Sequence, residues 1–454
     1  MMSPLMSGVI DYESQQAPPR RFNLGTTGPL VLLVFINLFN YLDRTAMAAV
    51  ELPVSIEFGA TTTQMGWLVT GFLLTYMIFA PVFGWAADRV SRWRLIGISL
   101  ILQSLASGGS GLAGTYMMLL VMRCSVGIGE AAYGPAAPAL LSDMYPAEKR
   151  GRILAIFYTA IPVGSALGYA VGGAMRHFTG DWRWAFYVLM PPGIILGIIC
   201  FFMRDPPRGG IDGVPPARPG VREYVGLFRN PSYVINCIGM TLMTFAIGGI
   251  SFWMPRYLET DRGMSTANST ILFGGIAASA GLAGTLAGGL IGDRLRGRFA
   301  GSYFHVSGAG MLLGFPLFLL FLITPFPLAW VVLFLGVFCL FLNTGPGNTI
   351  LANVVPANVR GSAFALNIFI IHLLGDAISP PLIGRLADHA KTDTSSGIGT
   401  GFFWVSILMA VGGAVWWTGA RFLERDTQRA NAATAESSAN TSCVVVSPAV
   451  SPPS

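Results

Sequence analysis

Charge is what this sequence has least of. Only 11% of its 454 residues are Asp, Glu, Lys or Arg, against roughly 25% in a soluble chain of ordinary composition. Lysine has almost vanished: Lys149 and Lys391 stand beside a much larger set of arginines, which favours a GC-rich bacterial source. Four of the five cysteines (Cys124, Cys200, Cys237, Cys339) lie inside apolar runs without metal-like spacing and read as small core residues. No metal and no other cofactor is therefore expected. The first 28 residues contain no apolar stretch of the kind a cleaved signal needs, so the first long apolar run is expected to direct insertion itself. The few carboxylates and histidines form no nucleophile–base pair, which argues against an enzyme. The net charge of +6 comes from short arginine clusters between apolar runs, a pattern that excludes a nucleic-acid partner.

In place of charge the chain has apolar runs. Hydrophobic residues make up 53%, and runs long enough to cross a bilayer lie near 29–52, 64–86, 94–112, 115–143, 151–175, 184–203, 231–257, 268–291, 301–323, 327–352, 360–386 and 402–422. They predict an all-α membrane protein with twelve transmembrane helices in two six-helix halves, 29–203 and 231–422. The Pro-, Gly- and Arg-rich segment 204–230 reads as a linker, and 1–28 and 423–454 as disordered tails. Arginines cluster at Arg89–Arg94, Lys149–Arg152, Arg204–Arg229 and Arg294–Arg298. The alternate loops hold few, so both termini are expected in the cytoplasm of a bacterial inner-membrane protein.

The halves share a device. Gly84-Trp-Ala-Ala-Asp88-Arg89-Val-Ser-Arg92 follows the second run, and Gly289-Leu-Ile-Gly-Asp293-Arg294-Leu-Arg-Gly-Arg298 follows the eighth. Each aspartate can meet a neighbouring helix N-terminus while the arginines anchor at headgroups, so Asp88, Arg89, Arg92, Asp293 and Arg294 are candidate gating residues. The paired loops resemble the signature of the major facilitator superfamily of transporters. That resemblance implies two parallel halves around a midplane site.

Charges inside apolar runs cost roughly 2.5–3.5 kcal/mol each at the bilayer centre, so they need a reason. Arg123 and Glu130 stand two helical turns apart on one face of the fourth run. On the first run Asn37, Asn40, Tyr41 and Arg44 share a face bordered by Asp43. Arg123 and Asp43 are expected at similar depth, with Asp43 as the proton-binding carboxylate and Glu130 deeper. Arg123 cannot lose its charge and must stay paired or wetted. In the fifth run Gly164, Gly168 and Gly172 repeat every four residues for close packing, while Tyr158, Ser165 and Tyr169 share another face. His372 and Asp376, four apart on the eleventh run, read equally as an acid–base pair or a structural hydrogen bond. Gly345-Pro346-Gly347 marks an expected kink in the tenth. A cavity charged in one half and apolar in the other suits an amphiphile better than a sugar.

A narrower resemblance rests on longer runs. Asn40-Tyr41-Leu42-Asp43-Arg44, the stretch from Arg123-Cys-Ser-Val-Gly127-Ile-Gly129-Glu130 through Tyr133 and Pro135 to Asp143, and Pro162-Val-Gly164-Ser-Ala-Leu-Gly168-Tyr169 are similar to the spinster family. So are Gly375-Asp376-Ala-Ile-Ser-Pro380 and Gly384-Arg385-Leu-Ala-Asp388. The resemblance implies transport of lysophospholipids or sphingoid lipids, with proton coupling. The expectation is a proton-coupled, alternating-access transporter of a lipid-like amphiphile, working as a monomer. Asp43, Arg123 and Glu130 would couple. Arg123, Arg44, Asn40, Tyr41, Glu130, Tyr158, Ser165, Tyr169, His372 and Asp376 would meet substrate. The rivals are a transporter of small organic anions or drugs, and a membrane sensor that moves nothing.

Overall fold

The computed structural model describes residues 27–87, 89–145, 153–154, 156–206, 225–356, 359–393 and 395–445. The expected N-terminal tail up to residue 26, all but the ends of the 204–230 linker, and Asp88 lie outside these residues, while Thr27 and Gly28 already belong to the first helix. Among the described residues all named elements are helical. The first half holds α1 (Thr27–Ala49), α2 (Glu51–Phe58), α3 (Thr62–Ala87), α4 (Arg92–Gly111), α5 (Tyr116–Glu130), α6 (Tyr133–Met144), α7 (Ala160–Thr179), α8 (Trp184–Tyr187) and α9 (Met190–Phe201). The second holds α10 (Pro231–Thr260), α11 (Thr266–Arg296), α12 (Ser302–Ile323), α13 (Leu328–Phe341), α14 (Thr344–Val354), α15 (Arg360–Ile371), a π-turn (His372–Asp376), α16 (Ser379–Ala390), α17 (Ile398–Gly419) and α18 (Leu423–Val445).

Ten helical stretches among the described residues are long and apolar enough to cross a membrane. The two other expected spans, near 94–112 and 115–143, are also helical, as α4 and the α5–α6 pair. They miss the hydropathy of the others because they carry Arg92, Arg94 and Gln103 in one case and Arg123, Glu130 and Asp143 in the other. The α5–α6 span is thus set apart by the candidate charges Arg123 and Glu130.

Proline explains where single spans break. The fourth span was expected as one helix, yet it turns at Ala131–Ala132, immediately after Glu130. Pro135 has no N–H for the Ala131 carbonyl, which removes a hydrogen bond at the point where the helix breaks. Pro346 does the same to Leu342, and the tenth span parts between α13 and α14 at the expected kink. In the eleventh, Pro380 and Pro381 cannot donate to the carbonyls of Asp376 and Ala377. The chain widens into the π-turn, and the Thr70 hydroxyl of α3 donates to the Ala377 oxygen in the missing amide's place.

One expectation needs correcting. The segment 423–454 was read as disordered from its Ala/Ser/Thr content, but residues Leu423–Val445 form α18. Alanine is the strongest helix former. Leu423, Asp426 and Ala430 also lie on one buried face, where Asp426 Oδ2 accepts from the Ser232 amide at the start of α10 at 3.1 Å.

The halves meet at the end of the molecule away from the termini, called here the far side. Arg256 of α10 pairs with Glu51 at 2.7 Å, and Arg176 of α7 holds Glu259 with two hydrogen bonds of 2.9 and 3.0 Å. Asp388 at the end of α16 accepts from the Thr62 and Thr63 amides at the start of α3, both at 2.9 Å. That carboxylate neutralises the positive helix N-terminus of the opposite half. Such ties close the far side.

Candidate functional site

α1 is pressed against α7 along the glycine run: a Cβ at Gly164 or Gly168 would meet the Leu38 or Leu42 carbonyl at 2.3 Å. That packing settles which side of α1 faces what. Asn37 is buried and donates to the Phe157 carbonyl at 3.0 Å, and Asn40 is 1% exposed. The continuous polar face expected on α1 therefore divides. Its asparagines are interior, and Tyr41 and Arg44 are the members with partial access to solvent. Asn40 is accordingly removed from the set that can touch substrate.

Two ion pairs are built from four charges in this half. Arg44 Nη2 lies 2.6 Å and its Nε 2.9 Å from Glu130 Oε1. Arg123 Nη1 lies 3.7 Å from Asp43 Oδ2, and the Ser107 hydroxyl of α4 donates to the other Asp43 oxygen. The pairing of Arg123 with Asp43 follows the sequence reading. Their access does not, because the Asp43 and Arg123 side chains are 0% and 3% exposed. Arg44, at 19%, is the more accessible of the two cations. Of the two arginines expected to meet substrate, Arg123 is covered and Arg44 is partly open to solvent.

Aromatic rings hold Arg44 in place. Its guanidinium lies 4.9, 5.0 and 5.3 Å from the ring centres of Tyr41, Phe72 and Tyr76, within cation–π range. Phe72 also receives Arg123 at 5.7 Å, so one ring serves both cations. This needs α3 close against α5. Gly127 permits it, since a Cβ there would meet the Phe72 carbonyl at 2.2 Å. Inside the layer, Asn40, the Gln103 amide nitrogen, Asp43 Oδ2 and Glu130 Oε2 are buried without a hydrogen-bond partner among the described residues.

The second half presents the π-turn. His372 Nδ1 lies 2.9 Å from Asp376 Oδ2, with both side chains partly exposed, and Asp376 is near enough to Tyr41 to act on it electrostatically. Gly248 of α10 makes room for this turn, since a Cβ there would meet Asp376 Cβ at 2.4 Å. The arrangement sets one partly exposed cation and one partly exposed acid–histidine pair on opposite halves.

Other expected site residues are placed differently. Tyr169 is buried and donates to the Ser251 carbonyl across the halves at 2.6 Å, so it ties helices together and does not line a cavity. Ser165 is half-buried, and its carbonyl accepts from the Thr45 hydroxyl at 2.9 Å. Tyr158 is exposed, with its ring edge-on to Phe157 at 5.0 Å. Among the gating candidates, Arg92 pairs with Asp143 at 2.5 Å and Asp293 accepts from Tyr303 at 2.8 Å, each within its own half. Arg89 stacks over Trp85, and Arg294 is exposed. The far-side pairs Glu51–Arg256 and Arg176–Glu259, together with Phe72, Tyr76, Gln103 and Ser107, have no counterpart among the sequence expectations, and Asp388 enters them only through the family resemblance. The first span ends at Ala49, short of the expected 52, so Glu51 lies beyond it, and Glu51 is buried. Loss of water pushes its carboxyl up to about 7 against the opposing pull of Arg256.

Residues 33–380 match the Major Facilitator Superfamily. Protein spinster homolog 1 of Rattus norvegicus is 34% identical over 431 residues, covering 88% of this chain and 82% of its own length, and the Homo sapiens protein of that name gives the same figures. The chain belongs to the spinster family. Protein spinster of Drosophila melanogaster is 33% identical over 375 residues, covering 79% and 61% of the two chains. Among solved structures, a bacterial homolog to the human lysosomal transporter Spinster, inward-facing and unoccupied, superposes with a TM-score of 0.79 at 20% identity over 88% of this chain and 98% of that one. The D-xylose-proton symporter gives 0.70 at 18% identity over 86% and 96%. Such likenesses show the fold alone. With the sequence relatives, they make this spinster-family chain a multi-pass membrane transporter with the major facilitator fold.

Proposed function

We propose that the chain carries an amphiphile with an anionic head across a bacterial inner membrane together with protons, with both termini cytoplasmic. The arginine bias of the termini-side loops supports the orientation. The observation that carries the mechanism is the Arg44–Glu130 pair. Its cation is reachable and ringed by aromatics, whereas its carboxylate is buried behind it. Asp43, Arg44, Arg123 and Glu130 sum to zero charge. An anionic head that takes Arg44 away from Glu130 leaves a buried carboxylate without its partner, a state costing about 3–5 kcal/mol. Protonation of Glu130 removes that cost. Anion and proton therefore strengthen each other's binding, by the same factor in either order. Asp43, with Arg123 and Ser107 behind it, forms a second proton site in the same network. The opposite wall, with His372 and Asp376, meets the polar remainder of the head, and the far-side ties close one gate of the cycle.

Purified protein in liposomes tests the reading. Uptake of a lysophospholipid should rise as pH falls, with its apparent affinity gaining about tenfold per pH unit while one proton is taken up per anion. Glu130→Gln should bind lipid with no such pH dependence. Proton-dependent uptake that survives in Glu130→Gln and in Asp43→Asn would refute the coupling. Competition by small carboxylates but not by lysolipids would move the cargo to organic anions.

A further inference from the structure

Two adjoining cavities lie away from the transport site, at the corner on the termini side where α11 ends, α12 begins and α17 gives way to α18. The first, of about 430 Å³, is walled by Phe299, His305 and Trp417 with Arg421 at its edge. The second, of about 420 Å³, lies on the other side of Phe299 and is lined by Arg296, Arg298, Tyr303 and Glu424 among others.

The first cavity has an apolar wall and a polar mouth. The His305 ring stands edge-on to Phe299 at 5.4 Å and to Trp417 at 4.9 Å. His305 Nδ1 lies 2.9 Å from the Gly301 carbonyl, which can only accept, so that nitrogen carries the proton and Nε2 remains for a ligand. Trp417 is half exposed on a membrane-spanning helix, two residues before that helix ends at Gly419. Indoles at such positions sit at the headgroup level of a bilayer. The cavity therefore opens towards lipid.

The corner is also over-supplied with cations. Arg296, Arg298 and Arg421 line the two cavities against one carboxylate, Glu424. Arg421 lies against the ring of its neighbour Phe422, and Arg296 reaches the Tyr303 hydroxyl at 3.5 Å. Among the described residues no carboxylate pairs with any of the three arginines. Asp293, the acid that begins this stretch, is held by Tyr303.

We infer that this corner binds an anionic phospholipid from the leaflet on the side of the termini. Its phosphate sits at Arg421, and a second polar group of the headgroup extends past Phe299 towards Arg296 and Arg298. One acyl chain lies against Phe299 and Trp417. The apolar wall at headgroup depth distinguishes a lipid from a free anion, which has no use for it. The site is separate from the Arg44–Glu130 pair and does not depend on what the chain transports.

Nanodiscs of phosphatidylcholine, with and without phosphatidylglycerol, test this. Wild-type protein should retain phosphatidylglycerol through detergent exchange, read by native mass spectrometry, and should melt at a higher temperature when that lipid is present. Each arginine near the surface contributes about fivefold to binding, so Arg298→Gln with Arg421→Gln should cut retention roughly 25-fold. Trp417→Ala should weaken it with the charges unaltered. Both arginines are exposed, and circular dichroism verifies that the variants remain helical. Equal retention by wild type and the double variant would overturn the inference. So would equal stabilisation by soluble glycerophosphate, which would make this a small-anion site.

Discussion

In the proposed cycle Arg44 is the side chain that carries the head-group contact. A lysine in its place would keep the charge but lose the planar fork that faces Glu130 with two nitrogens, at 2.6 and 2.9 Å, and the flat face that stacks on Tyr41, Phe72 and Tyr76. In the proposed cycle Arg44→Lys should weaken head-group binding about tenfold. Arg44→Ala should abolish uptake while leaving Glu130 protonated and the fold intact, because the neutral acid needs no partner. Binding isotherms for a lysophospholipid, with melting curves beside them, read both. Unchanged affinity in Arg44→Ala would give the head-group role to Arg123. The sequence offers both Arg123 and Arg44 for that role. Spacing placed Arg123 correctly opposite Asp43, but spacing carries no information about which of two arginines is covered. Coverage came from Phe72 and from α4, neither of which advertises itself in a helix of apolar and small residues. Gln103 and Ser107 were passed over for the same reason, since single polar residues in an apolar run look like any other.

At the scale of elements, proline and hydrogen bonds across the halves decide more than hydropathy does. The positions of the spans, the break at Gly345-Pro346-Gly347 and the glycine contact between α1 and α7 were legible, because each is a local rule of length, N–H supply or side-chain volume. The π-turn was not, although its cause is in the sequence. Two adjacent prolines remove two donors, and the repair comes from Thr70 in the other half, which only the fold brings near. The α18 helix is not legible in composition, because what holds it is the docking of Leu423 and Asp426 against α10. The Thr70 contact carries a consequence. Ala377 loses its donor whenever the halves separate at that level, so the bond belongs to the state with the far side closed. Thr70→Val keeps the shape, removes the donor and leaves a buried carbonyl unsatisfied, a cost of about 1–3 kcal/mol. The population with the far side open should rise about five- to a hundredfold. Distances between spin labels on the far ends of α3 and α16 would report it, and an unchanged distribution would mean that water replaces the hydroxyl in both states.

The molecule as a whole is held by ties at one end. Glu51 is the tie whose charge responds near neutral pH. In the closed arrangement its carboxyl is raised from the ordinary 4.5 to about 7, chiefly by burial. Once the far side opens, water reaches it and the ordinary value returns. The closed state is then the one that binds the proton more tightly, which determines the sign. Closure is favoured at pH values below the open-state value. That advantage is lost as pH rises through about 7, where a charged Glu51 prefers water to its covered site despite Arg256. The closed-to-open ratio should fall by on the order of a hundredfold between pH 5 and pH 8. Because the proposed cycle gives Glu130 and Asp43 a proton response of their own, the measurement uses a Glu130→Gln, Asp43→Asn background. There, spin-label distances across the far ends of α2 and α10 should lengthen with rising pH. Adding Glu51→Gln should hold them short throughout, since a neutral amide in the same place has nothing to lose. Distances that lengthen as pH falls would reverse the sign and show that attraction to Arg256, rather than the loss of water, governs Glu51.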